Sequence, residues 1–279
     1  MRLSVSNLAL PQPDLSDRDY ACLVAAGLSG LELAPTRVAP WPDLTAGVAR
    51  DHARRIAGNG LAISSLQALL YGTEGMALLK DATAFERMKV HMGRVAALCA
   101  AFGAKIGVFG APSQRARGDM AAEAAFDLGR ARFTELAAVC HDQGMVIGLE
   151  PVPAHYRGDF LPSWREVLAM VEAVDHPGLG VHLDTACVTL GGDDIAEAIS
   201  ACRHRLVHFH AAEPDLRAFQ TPCPSHACAA RALAEAEDSL KLPWIAIEML
   251  NRSEAGDLRE VLRAITFVRE TYAFDGENC

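Results

Sequence analysis

The chain has 279 residues, of which 51% are hydrophobic and 22% charged, and it carries a formal charge of −9 with only four lysines. An acidic body gains nothing from counterion release at phosphates, which excludes nucleic acid and anionic membrane surfaces as expected partners. No run reaches the roughly 20 apolar residues of a membrane helix. The start MRLSVSNLALPQPDLSDRD also lacks a secretory signal pattern, so a cytoplasmic location is expected.

Short apolar, β-branched runs alternate with long alanine-rich amphipathic stretches. In chain order, strands are expected at Leu3–Leu8, Gly30–Leu33, Ala62–Gln67, Lys105–Phe109, Val146–Glu150, Gly180–Asp184, Leu206–His210 and Trp244–Glu248. Helical patterns between them include Ala84–Phe102, Asp119–Asp142, Ser163–Val174 and Ile195–Cys202. Ser163 with Glu166 three residues on reads as a capping box, and Thr83 with Glu86 repeats that spacing. Ser16 and Asp43 read as N-caps of the first two helices.

Eight strand–helix units fill the length at about 35 residues each. They close most economically as a (β/α)8 TIM barrel, typically about 250 residues long. No linker or composition shift divides residues 1–279, so a single domain is expected. The alternative is a doubly wound open sheet, which wants a glycine-rich turn after an early strand. The first turn here, SNLALPQPDL, contains no glycine.

The eight cysteines are scattered, with no Cys-x-x-Cys pair, so neither a disulfide framework nor a zinc ribbon is expected. Cys22, Cys99, Cys140 and Cys202 lie in helical stretches and read as buried free thiols. Cys223, His226 and Cys228 offer three potential ligands but lack the fourth that a structural zinc site wants.

Functional groups of such barrels sit where the strands end at their C-termini. Strand five ends VIGLEPVP with Glu150, and strand six ends GVHLDTACV with Asp184. Strand seven contributes His210 from VHFHAAEP, and strand eight Glu248 from WIAIEML. Three buried carboxylates converging from neighbouring strands need a cation between them, because an unpaired buried charge costs several kcal/mol. With one imidazole the donor set is O,O,O,N, which suits one divalent ion: Mn²⁺, Mg²⁺, Co²⁺ or Zn²⁺.

Side chains alternate along a strand, so the residues two before each ligand point inward one layer deeper. These are Gly148, His182, His208 and Ala246. Two histidines beneath the cation read as groups that hold its ligands by hydrogen bonds. A rival assignment makes His208 rather than His210 the ligand. Glu32, Gln67, Arg37, Arg115, Tyr156, Arg157, Arg217 and Arg252 also fall at or just past strand ends. Glu32 and Gln67 are candidates for substrate contact, and the arginines could clamp a carboxylate or phosphate.

The segments LEP, HLDT, HFH and the terminal IE resemble the xylose isomerase-like TIM barrels across nearly the whole chain. That superfamily includes ketose 3-epimerases, hydroxypyruvate isomerases and inosose dehydratases. Longer stretches such as GLELAPTRVAPW and HYRGDFL look like bacterial members described only as sugar-phosphate isomerases. The resemblance implies that Glu150, Asp184, His210 and Glu248 hold the metal, with Mn²⁺ first among the candidates. It also implies an isomerase or epimerase of a small sugar, sugar phosphate or hydroxy-keto acid, working by proton transfer through a metal-stabilised enediolate. Glu150 and Glu248 would then be the catalytic residues. The resemblance implies homodimers or homotetramers as well.

Three positions depart from the ketose epimerases. Tyr156 stands where they have a substrate-binding Glu, Cys187 where they have a His, and Arg217 is offset by one from their Arg. Other chemistries are weighed against the same residues. A Schiff-base aldolase needs a lysine inside the barrel, and Lys80, Lys89, Lys105 and Lys241 all lie elsewhere. Apurinic endonucleases share the superfamily pattern but have more histidines on strands two to four and act on nucleic acid. A metal-dependent dehydratase or lyase of a polyol uses the same first proton abstraction, and a non-catalytic sugar-binding relative would keep the metal cup.

Overall fold

A computed structural model describes residues 1–11, 15–252 and 257–272. Its eight strands all run parallel and close into a barrel in chain order, each beside its sequence neighbour and the eighth beside the first. The strands are β1 (Arg2–Ser6), β2 (Gly30–Leu33), β3 (Ala62–Leu66), β4 (Ile106–Phe109), β5 (Val146–Leu149), β6 (Leu179–Asp184), β7 (Leu206–Ala212) and β8 (Trp244–Glu248). The helices are α1 (Asp17–Ala25), α2 (Ala46–Gly58), α3 (Ala82–Phe102), α4 (Ala122–His141), α5 (Trp164–Val174), α6 (Thr185–Leu190), α7 (Ile195–Cys202), α8 (Ser225–Glu235) and α9 (Arg259–Thr271). The expected barrel is the one that forms. The open-sheet alternative is excluded by the β1–β8 pairing.

Why the helices begin where they do is a matter of which oxygen can take the first free N–H groups. Ser163 caps α5 in the reciprocal box with Glu166 that the spacing predicts, and Ser16 does the same for α1 with Asp19. Two expected caps are corrected. The α3 cap is Asp81, whose side chain accepts from the Ala84 N–H at 2.8 Å, and exposed Thr83 lies inside the helix. The α2 cap is Thr45 rather than Asp43. In both cases the chain starts its helix where a short oxygen-bearing side chain already has extended backbone. Short α6 was not legible as a separate element, because Asp184 both ends β6 and caps it.

The apolar core lies between barrel and helices, as alternation along the strands requires. Leu31, Leu33, Leu183, Phe209, Ile245 and Ile247 are all buried there. The barrel interior is different in kind. Ser4, Ser6, Glu32, Ser65, His182, His208 and His210 are all buried, so the upper interior is a polar network rather than packed aliphatics. Around the barrel the ladder is thinnest between β3 and β4, joined through the single pair Leu66–Gly107. No helix among the described residues is long and apolar enough to cross a membrane.

The cysteines mostly follow expectation. Cys99, Cys140 and Cys202 are buried free thiols, but Cys22 is exposed, on the outer face of α1. Cys223 and His226 both turn to Glu213. The Cys223 thiol donates to Glu213, and His226 is bound between Glu213 and the Tyr272 hydroxyl, each at 2.9 Å. Cys279 lies outside the described residues.

Candidate active site at the barrel mouth

Glu150, Asp184, His210 and Glu248 converge at the C-terminal mouth of the barrel. Glu150 is the first residue past β5, held by its N–H donating to Phe109 O at 3.2 Å. Its Oε2 packs against Gly110, where any Cβ would collide with it. Asp184 has one oxygen committed, since Oδ1 accepts from the Cys187 N–H at 2.7 Å. That leaves Oδ2 facing His210 Nδ1 at 3.6 Å, with Glu248 Oε2 on the same nitrogen's other side at 3.3 Å.

The imidazole of His210 is aimed from behind. Its Nε2 lies 2.9 Å from Glu32 Oε1, so Nδ1 is left to the mouth. Glu32 itself is fully buried, accepts from Ser65 Oγ at 2.7 Å and sits 3.3 Å from His208 Nε2. This corrects the expectation of substrate contact: Glu32 supports the histidines from inside the barrel wall. His208 turns the same Nε2 to Ser65 Oγ at 2.8 Å, so this nitrogen lies between Ser65 and Glu32. The two histidines that the sequence left as rivals thus differ in their partners, although His182, His208 and His210 also bring one donor atom each within 4.8 Å of one another.

Electrostatics set what the cluster can hold. Burial, with Asp184 and Glu248 beside it, pushes the Glu150 carboxyl up to about 8. Burial likewise raises Glu248, although His210 works against it. Burial alone would lower His210, yet Glu32 and Glu248 outweigh it and hold the imidazole well above its ordinary value. For Glu32 burial is overcome by His210 and His208, which hold its carboxyl at about 2. Like-charged carboxylates crowded in a dry site need a cation to ionise together. The donors fit a divalent ion: His210 Nδ1 is fully buried without a hydrogen-bond partner, flanked by carboxylate oxygens. Glu150, His182, Asp184 and His210 each place one donor atom within 4.8 Å of the others.

The cluster opens onto a cavity of about 360 Å³, with Glu150, His210 and Glu248 on its floor. Its walls are the β3 loop (67–72) and the β4 loop (108–114), so it opens over the thin β3–β4 seam. Gln67 lines it and is steadied by Ser6. Cys187 lies behind Glu150, its thiol donating weakly to Glu150 Oε1 at 3.8 Å. Tyr156 is half-buried and links two loops, its hydroxyl accepting from the Asp215 N–H at 2.7 Å. Beside it His155 and Asp215 pair at 2.7 Å.

The arginines fall into three groups. Arg217 and Arg252 line a separate cavity of about 330 Å³, each tied to a β7-loop carbonyl. Arg37 donates to Leu10 O, and Arg157 is exposed in a left-handed turn. Arg115 is corrected: it is fully buried rather than rimming the mouth, with only a 3.5 Å contact from Nη2 to Leu161 O. Sequence reasoning missed the walls (Ala68–Gly72 and Gly110–Gln114), because loop residues without charge carry no strand-end signal.

The chain belongs to the xylose isomerase-like TIM barrel family, whose profile matches residues 21–227. Its fold is similar to that of D-psicose 3-epimerase from Clostridium cellulolyticum H10, solved with D-tagatose: TM-score 0.80 at 17% identity, covering 98% of this chain and 99% of that one. It also resembles the 3-keto-D-glucoside 4-epimerase of E. coli, with TM-score 0.76, 15% identity and coverage of 97% and 99%. A probable 3-DHS dehydratase of petrobactin synthesis from Bacillus anthracis gives TM-score 0.68 at 17% identity, covering 97% and 99%. No curated protein matches this chain.

Proposed function

We propose that the protein is a divalent-metal-dependent isomerase or epimerase of a small sugar, sugar phosphate or hydroxy-keto acid. The observation that carries this reading is the meeting of Glu150, Asp184, His210 and Glu248 at one mouth, with Glu150, His210 and Glu248 lining a sugar-sized cavity. Pockets for small ligands generally hold about 300–1,000 Å³. A bound Mn²⁺, with Mg²⁺, Co²⁺ and Zn²⁺ as alternatives, would polarise a substrate carbonyl and lower the cost of removing the neighbouring proton.

Asp184 and His210 hold that ion, each with one atom fixed by the protein and the other presented to the mouth. Glu150 after β5 and Glu248 at the end of β8 both line the cavity and are the groups that remove and return the proton. Gln67 contacts substrate hydroxyls from the wall, and Cys187 fills the space behind Glu150, whereas Tyr156 and Arg217 lie outside this cavity's lining. Glu32 and His208 keep the metal ligands in place from below. Assembly as a dimer or tetramer is part of the same reading.

The experiment is deuterium wash-in from D₂O across a panel of ketoses, their phosphates and hydroxy-keto acids. Metal-dependent exchange without loss of water supports the proposal. Exchange accompanied by loss of water would make the protein a dehydratase, the reading that its likeness to the Bacillus anthracis protein keeps in view. Binding without exchange would make it a sugar-binding relative, and full activity after chelation would overturn the metal's role.

A further inference from the structure

We infer that His182 is a direct metal donor, so that the ion at the mouth is held by two imidazoles rather than one. The inference rests on the metal reading above and deepens it. His182 is fully buried, and neither of its ring nitrogens makes a hydrogen bond of ordinary geometry among the described residues, beyond a looser approach to the His208 backbone. Buried polar groups are almost always satisfied, so an imidazole held this loosely has room for a partner of another kind.

Its position says which kind. Nε2 lies 3.7 Å from Glu150 Oε1, and the ring meets that of His210 nearly edge-on, with centroids 4.2 Å apart. Two residues before Asp184 on β6, it faces the same interior, so the strand sends the imidazole up beneath the carboxylate. Gly148 on β5 makes the room: a Cβ there would press to 3.2 Å of His182 Cβ. His208 sits one strand over with its Nε2 engaged by Ser65, which leaves its Nδ1 as the rival donor that the variants below separate from His182. A second imidazole moves the donor set away from Mg²⁺, which prefers oxygen, towards Mn²⁺, Co²⁺ or Zn²⁺.

The test uses the full-length protein loaded with Mn²⁺ and counts directly bound imidazole nitrogens by electron spin-echo modulation. Two coupled imidazoles are expected in the wild type and in His208→Gln, and one in His182→Gln. His182→Gln should also weaken Mn²⁺ more than ~100-fold, beyond the ~10–100-fold of an outer partner, and erode its preference over Mg²⁺. One coupled imidazole in both the wild type and His208→Gln overturns the inference while leaving the metal site standing. If His182→Gln does not fold, the wild-type and His208→Gln counts decide: two in each supports it, fewer in either overturns it. Failure of the wild type to bind Mn²⁺ overturns the metal reading itself, and this inference with it.

Discussion

Gly110 and Glu150 show how a single carbon atom can matter at this mouth. A methyl group on residue 110 would collide with the Glu150 carboxylate, which is the far end of a flexible side chain and can yield. Gly110→Ala should therefore leave unfolding free energy within ~0.5 kcal/mol of wild type. The displaced carboxylate should nonetheless slow deuterium exchange by ~100-fold, the usual consequence of misplacing a reacting group by about 1 Å. Glu213 tests the electrostatics away from the mouth. Burial opposes its charge, yet hydrogen bonds from His226 and Cys223 hold its carboxyl below the ordinary value. A lowered carboxyl stabilises the fold above its unfolded value of ~4.3 and stops doing so as pH falls through the folded value. Glu213→Gln should cost ~1–3 kcal/mol in urea unfolding at pH 7, and the gap to wild type should shrink below pH ~4. At this scale the charged residues of strands five to eight were legible, because a carboxylate after an apolar run has few uses. Glu32 was legible as unusual but not as a support for His210, since one sequence does not say which strand end faces which.

Elements were readable where hydrophobic period and cap chemistry agreed. Ser163 and Glu166 mark the start of α5 in the sequence and in the structure alike. Thr83 and Glu86 have the same spacing, but Asp81 lies two residues earlier and takes the cap first. Asp81→Ala should cost ~1 kcal/mol in thermal or urea unfolding, and Thr83→Ala no more than ~0.5 kcal/mol. Equal losses at the two sites would contradict the observed helix start. The strand ends were less legible. β7 runs on to Ala212, past His210, because its last residues still pair with β8. The β3–β4 seam was invisible, since register between strands is set by packing such as Leu69 and Met145 against Gly107. The loops that follow these two strands line the cavity, so the element-level fact least visible in the sequence lies beside the candidate site.

At the scale of the whole molecule the closed barrel does one thing that its parts do not. It turns the side chains of β2, β3, β5, β6, β7 and β8 towards a common axis. Residues separated by up to 216 positions, from Glu32 to Glu248, thereby share one polar column. The column rises from Ser65, Glu32 and His208 through His182 and His210 to Asp184, Glu150 and Glu248, with the cavity above. Its lower groups are neutralised by one another, whereas its upper carboxylates are not, and that imbalance is what a divalent ion would correct. The most direct test is equilibrium dialysis of the purified protein against Mn²⁺, beside Asp184→Ala and His210→Gln. One tightly held ion per wild-type chain, lost in both variants without loss of fold, is the expected result. A wild type that holds no ion, or variants that hold it as tightly, would contradict the account.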